Sequence, residues 1–263
     1  MSGSGRDRGP LAGKKHKLDL HVHSQFSADS VADPEMILAS AKEKGLDGIA
    51  ITDHNTSECV DYYMERGLMR ADGQPVDGFL IIPGQEITTS EGHLLALGIH
   101  LPYLKGISPA EAIEIIHRKG GIAVPPHPYD QFRAGIREKV LDSLPIDAIE
   151  VFNAASTFRR YNRLALEYAV RRTLPMTAAS DAHHPSAVGT AFTILAADDF
   201  SVAGVLAAIR RGGELRQRYL TTREALKKTF SNFIRFKPSH LKRRARAKAG
   251  KAKAAAEAKR KGC

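Results

Sequence analysis

Six of the eleven histidines in this 263-residue chain stand at, or just beyond, the ends of short β-rich runs. That placement restricts the fold more than any other feature. The runs are Lys17–His23, Gly48–Thr52, Phe79–Glu86, His93–Ile99, Ile122–Pro125, Ala148–Phe152, Met176–Ser180 and Ala191–Ala196. Helical patterns alternate with them, several carrying start signals: Asp33-Pro34, Ser108-Pro109-Ala110-Glu111 and Thr221-Thr222-Arg223-Glu224. Gly45 and Gly120 are the expected stops of helices Pro34–Lys44 and Pro109–Lys119. The segment Thr222–Phe236, with Leu226, Phe230 and Phe233 at helical spacing, predicts a final core-covering helix. No internal repeat is visible. The alternation predicts an α/β fold with a mainly parallel sheet, and the number of units favours a barrel.

In a barrel of parallel strands the C-terminal strand ends converge on one face. Period-two alternation in Leu18-Asp19-Leu20-His21-Val22-His23 predicts that Asp19, His21 and His23 point one way and Leu18, Leu20 and Val22 the other. Later runs end in Asp53-His54, Glu86, His127 and Asp181-Ala182-His183, while His93 opens a run and Asp29 follows the first. Unpartnered, such groups would lose burial energy inside a strand. Imidazoles with carboxylates suit Zn²⁺, Mn²⁺ or Fe²⁺. Nine ligands exceed the needs of one ion, which predicts two or three divalent ions sharing a carboxylate.

The motifs His21-Val22-His23-Ser24, Ile51-Thr52-Asp53-His54, Pro83-Gly84-Gln85-Glu86, Pro126-His127-Pro128 and Ser180-Asp181-Ala182-His183 resemble, in order and spacing, the PHP (polymerase and histidinol phosphatase) superfamily. The resemblance covers Lys17 to Ala196. It implies a distorted (β/α)₇ TIM-like barrel and a trinuclear centre. His21, His23, Glu86 and Asp181 would hold the first ion, and Glu86 would bridge to a second completed by His93 and His127. Asp29, His54 and His183 would hold the third. About 28 residues separate Leu97 from Pro126, too few for the capping subdomain of the larger nucleotidase and exoribonuclease members, so an open site is expected. Arg133, six residues past His127, and Asn153, ending Ile149-Glu150-Val151-Phe152, are candidates for substrate contact; Asn153 could instead hydrogen-bond a ligand. Asp53 and Ser24 are expected to orient ligands. His16, His100, His117, His184 and His240 are read as ordinary surface or core histidines.

The resemblance implies a metal-dependent phosphoesterase that uses a metal-activated hydroxide on phosphate esters of nucleotides or short RNA. A histidinol-phosphate or other small-metabolite phosphatase stays open, as does a nucleic-acid-binding accessory protein with a mainly structural barrel. The net charge of +10 bears on that choice because it sits at the ends. Leu241–Cys263 holds ten Lys or Arg against one Glu, and Met1–Lys17 carries a balance of +4, leaving the body at −3. The expected organisation is a disordered basic leader over 1–16, a barrel domain with its C-terminal helix over 17–240, and a disordered Lys/Arg/Ala-rich tail over 241–263. The tail is either a solubilising extension or an electrostatic hold on nucleic acid. No apolar run approaches the ~20 residues of a membrane span, so no membrane contact is expected. Without an apolar signal core, and with only Cys59 and Cys263, the chain is expected to be cytoplasmic.

Overall fold

All eight β-rich runs form strands in the computed structural model, which describes residues 13–219. They are β1 (Lys15–Val22), β2 (Gly48–Ile51), β3 (Leu80–Thr88), β4 (His93–Leu97), β5 (Ile122–Val124), β6 (Ile149–Asn153), β7 (Met176–Ala179) and β8 (Phe192–Ala196). A ninth, β9 (Glu214–Arg216), was not foreseen. The helices are α1 (Pro34–Glu43), α2 (Glu58–Glu65), α3 (Pro109–Arg118), α4 (Glu138–Leu141), α5 (Arg159–Arg172) and α6 (Val202–Arg211). The start signals act as expected where they are described. Asp33 accepts from the Glu35 and Met36 amides ahead of α1, and Ser108 with Glu111 closes a reciprocal capping box on α3. The Thr221–Glu224 box, the helix expected over Thr222–Phe236, the tail and most of the leader lie outside the described residues.

Seven strands form one sheet in the order β5-β4-β3-β2-β1-β8-β9, and β6 and β7 form a second. The sheet is mixed rather than mainly parallel. β1–β2, β2–β3 and β6–β7 are parallel, whereas β1–β8, β3–β4, β4–β5 and β8–β9 are antiparallel. The Thr89–Gly92 connection is too short for a crossover, so β4 must turn back beside β3. Backbone bonds from Asp147 to Ala123 and from Glu150 to Pro125 lead from β5 to β6. On the other side, His23 donates to the Ala182 carbonyl, and the Asp19 carboxylate accepts from the Ser180 and Gly189 amides at 3.0 and 2.8 Å. The result is a mixed α/β fold on a curled sheet.

Leu18, Leu20, Ala50, Leu80, Ile82, Leu95, Leu97, Ile122, Val124 and Ala148 pack with Val202, Val205, Leu206 and Ile209 of α6 in one buried cluster. Val22 instead joins Ile37, Ile49, Ile51 and Val60 beside α1 and α2. Strict alternation in β1 would have kept Leu18, Leu20 and Val22 together. The register against β2 shifts between Asp19 and Val22, and this irregularity re-aims the strand end. Asp19 consequently serves the seam to the β7 end, not the cluster formed by His21 and His23.

Candidate metal centre

Each candidate ligand is placed by a strand end except Asp29, which lies in the loop after β1. His21 lies near the end of β1 and His23 just beyond it. His54 follows β2, Glu86 lies near the end of β3, and His127, Asp181 and His183 follow β5 and β7. Because β4 runs backwards, its first residue, His93, reaches the same end as Glu86. Glu86, only 1% exposed, is the hub. Its Oε2 lies 3.1 Å from His23 Nε2, 3.3 Å from His21 Nε2 and 3.2 Å from His54 Nδ1. Its Oε1 lies 2.8 Å from His93 Nδ1 and 3.1 Å from His127 Nε2. Asp29 Oδ2 stands 3.1 Å from His54 Nε2 and 2.9 Å from His183 Nε2. Asp181 Oδ1 lies 3.5 Å from His23 Nε2 and 3.3 Å from His183 Nδ1. His127 and Asp181 hold left-handed backbones, φ 33° and 50°, a local cost that recurs where a side chain must be aimed.

All nine residues fall into overlapping groups whose ligand atoms lie within 4.8 Å of one another: His23-Asp29-His54-His183, His21-His23-Glu86, His21-His127-Asp181 and His54-Glu86-His93. Asp29 Oδ1, Asp181 Oδ1, His54 Nδ1 and His93 Nδ1 are buried without a hydrogen bond of acceptable geometry. His21 Nε2 and His23 Nε2 approach to 3.0 Å. Atoms sharing an ion at about 2.1 Å stand ~3–3.4 Å apart around it. These donor atoms converge in that manner, so the residues fit a cluster of divalent cations.

The protonation pattern follows from the same crowding. Burial opposes charge on His23, but Asp181 and Glu86 outweigh it and push the imidazole up to about 9. His21 is likewise raised by Asp181, Glu86 and Glu150 against its burial. Burial, reinforced by His23, takes His183 down to about 4. Glu86 stays well below the usual carboxylate range although burial acts the other way, because His54, His93 and His21 surround it.

Around the candidate ligands lies a set of holding contacts. Glu150, 1% exposed, was not singled out from the sequence. Its Oε1 lies 3.1 Å from His21 Nδ1, and its Oε2 accepts from the His127 amide and Asn153 Nδ2, each at 2.8 Å. Ser27, also unforeseen, meets His23 Nδ1 at 3.1 Å and accepts the His54 amide at 2.8 Å. The only sequence signal for Glu150 was a charge inside an apolar run; Ser27 had none. Asn153 is fully buried and donates to Asp181 Oδ2 at 3.1 Å, which ties it to a candidate ligand rather than leaving it open to substrate. Asp53 accepts from both the amide and the hydroxyl of Ser24 at 2.6 Å, bracing the two strand ends that carry His23 and His54. Arg133 pairs with Asp181. A cavity of about 290 Å³ opens over the cluster, lined by Asp29, His54, Glu86, His93, His127, His183, Phe132, Arg133 and Ala134. The remaining described histidines have other work: His16 stacks on Phe200, His100 and His117 pair with Asp61 and Asp147, and His184 bonds Ser186.

The PHP domain family matches residues 19–122, and a PHP-associated family matches residues 159–213. An uncharacterized protein of Methanocaldococcus jannaschii is 36% identical over 172 residues, 62% of this chain and 95% of that one. A two-domain protein of Bacteroides vulgatus containing a predicted PHP-like metal-dependent phosphoesterase shares the fold, with a TM-score of 0.61 and 21% identity over 83% of this chain and 70% of that chain. Endonuclease Q of Pyrococcus furiosus, a lesion-specific endonuclease, shares it with a TM-score of 0.61 and 18% identity over 77% of this chain and 57% of its own. Endonuclease Q has also been crystallised with a 27-mer duplex substrate bearing an abasic lesion at the active site (TM-score 0.59, 18% identity, 77% of this chain, 58% of that chain).

Proposed function

The chain belongs to the PHP superfamily, and on that premise we propose that it is a metal-dependent phosphoesterase acting on phosphate esters of nucleotides or short oligonucleotides, RNA included. The observation that carries this reading is the convergence of nine imidazole and carboxylate groups from six strand ends and the loop after β1, several with buried polar atoms that bond to nothing else. His21, His23, Glu86 and Asp181 would hold one ion, Glu86, His93 and His127 a second, and Asp29, His54 and His183 a third. Zn²⁺, Mn²⁺ and Fe²⁺ all suit this donor set. Such ions acidify water toward neutrality and offset charge on the phosphoryl group.

The chain's own residues supply the rest. Glu150 and Ser27 would fix the orientation of His21 and His23; with an ion bound they would hold the proton on Nδ1 and leave the Nε2 lone pair for the ion. Arg133 lines the cavity, and its buried Nε has no partner; it is suited to grip a phosphoryl oxygen. The backbone seams on either side of the β6–β7 pair support a distorted (β/α)₇ barrel as the finer description of the fold. Nucleic-acid chemistry is supported by the likeness to endonuclease Q, which has been crystallised with a 27-mer duplex substrate, and by the +9 balance of Leu241–Cys263. No helix among the described residues is long and apolar enough to cross a membrane; a cytoplasmic setting is part of the proposal and rests on the cysteine usage.

The test is metal analysis of the purified protein followed by turnover of p-nitrophenyl phosphate and bis-p-nitrophenyl phosphate with Mn²⁺, Zn²⁺ or Fe²⁺ added back after chelation. Turnover that chelation abolishes and one of these ions restores supports the reading. Absence of metal together with absence of turnover under every ion overturns it.

A further inference from the structure

Two phenylalanine rings stand in solvent beside the cavity. Phe132 is 74% exposed and Phe158 50%. Phe132 also lines the cavity with Arg133 and Ala134, so the exposed patch is continuous with the candidate centre. The two rings sit 6.0 Å apart at 62°, and Phe158 meets Tyr161 edge-on at 5.8 Å. The Arg160 guanidinium lies 5.6 Å from the Phe158 ring centroid and 5.0 Å from that of Tyr161. Arg160 also donates from Nη2 to the Tyr161 hydroxyl at 3.3 Å.

This arrangement is held from below. Asp130, fully buried and outside the ligand set, accepts the Phe132 amide at 3.2 Å through Oδ1. Through Oδ2 it accepts the Thr157 amide at 2.7 Å and the Ser156 hydroxyl at 3.2 Å. One carboxylate therefore clamps the loop carrying Phe132 to the loop carrying Phe158. The contacts between the rings leave half or more of each in water; the clamp makes sense if a flat, apolar partner covers them.

We infer that Phe132, Phe158 and Arg160 form a stacking shelf for the nucleobase of a nucleotide whose phosphate enters the metal cavity. A base offers the π-face that aromatic rings and a guanidinium both accept, whatever its sequence identity. Its attached phosphate supplies the anion that the cavity suits. The inference rests on the phosphoesterase reading for where the phosphate goes, but the stacking itself does not depend on hydrolysis.

The experiment compares adenosine 5′-monophosphate with ribose 5-phosphate, which lacks only the base. Affinities are measured by calorimetry on the full-length Mn²⁺-loaded protein and on the variant Phe132→Ala/Phe158→Ala, with turnover of both probes followed in parallel. The wild type should prefer the nucleotide by at least about tenfold, and the double variant should bring that ratio close to one. Arg160→Gln should lower it by a few-fold. Restoring one ring, as in Phe132→Tyr/Phe158→Ala, should recover part of the preference. Equal affinities in the wild type, or a ratio that survives the double substitution, would overturn the shelf. A shelf-dependent preference without turnover of either probe supports the stacking and counts against the phosphoesterase reading. Turnover with no preference for the base does the reverse.

Discussion

The inward face of the sheet has two halves made from the same strands. Along β3 the inward series reads Leu80, Ile82, Gly84, Glu86; along β4, read backwards, it is Leu97, Leu95, His93. Gly84 marks the changeover, where a Cβ would sit 2.8 Å from the Ala96 carbonyl oxygen. One half is sealed by α6, and every side chain in it gains by leaving water, at about 1.5–3 kcal/mol for a large aliphatic group. The other half buries carboxylates and imidazoles whose desolvation their mutual attraction only partly offsets. Stability is thus concentrated at one end and chemistry at the other, and substitutions at the two ends should separate the two properties.

The largest expected effect is on chemistry. Asp181→Asn keeps the shape of a proposed ligand but removes its charge, and His21→Ala removes a proposed ligand outright. Either should lower phosphate-ester turnover by about three decades while circular dichroism and thermal midpoint stay near the wild type. Activity within tenfold of wild type in either variant would break the division.

Ile82→Ala is the converse. Ile82 is fully buried against Leu20 and α6 neighbours, so truncation should cost about 2–5 kcal/mol of unfolding free energy. Turnover per folded molecule should change no more than a few-fold. Denaturant titration paired with activity measures both; a large activity loss at little stability cost would show that the halves are mechanically coupled.

Asp19 lies between the halves, on the seam from β1 to the β7 end. Burial raises its carboxyl to about 6 despite its hydrogen bonds with Ser180, Gly189 and His21. Because the folded state then holds the proton more tightly than the unfolded chain, ionising Asp19 removes stability as pH rises from about 4 to 6. Above that window its contribution is constant. Asp19→Asn lacks the titration, so its stability relative to wild type should climb by up to about 3 kcal/mol between pH 4 and 7. A difference that stays flat over this range would mean that the amide donors fully compensate burial.

How much of this could be read beforehand depended on which property a residue type reports. The polar half was legible because His, Asp and Glu at or just past the ends of apolar runs are costly unless they share a task, and nine such residues leave few alternatives. Strand positions were legible for the same reason: Leu94-Leu95-Ala96-Leu97 and Ile149-Glu150-Val151 are bounded by polar or turn residues. Strand direction was not, since nothing in His93–Ile99 distinguishes a hairpin return from a crossover except the four residues before it. The irregularity in β1 was invisible too, because a register shift leaves composition unchanged while turning Val22 away from Leu20.

Glu150 was the residue within reach that was missed. It has the same parity as Ala148, which packs in the inner cluster, and a charge on that face needs a partner. Its partners make the final prediction specific. In Glu150→Gln the side-chain oxygen can still serve the His127 amide and Asn153, but the amide nitrogen then faces His21 Nδ1. Two donors cannot meet, so the His21 proton must move to Nε2, the atom aimed at Glu86. That tautomer cannot offer a lone pair to an ion. Metal affinity should therefore fall about 10–100-fold, read by titration against a competing chelator, with the fold intact by circular dichroism. An unchanged affinity would mean that His21 is not a ligand or that the Glu150 carboxylate does not set its tautomer.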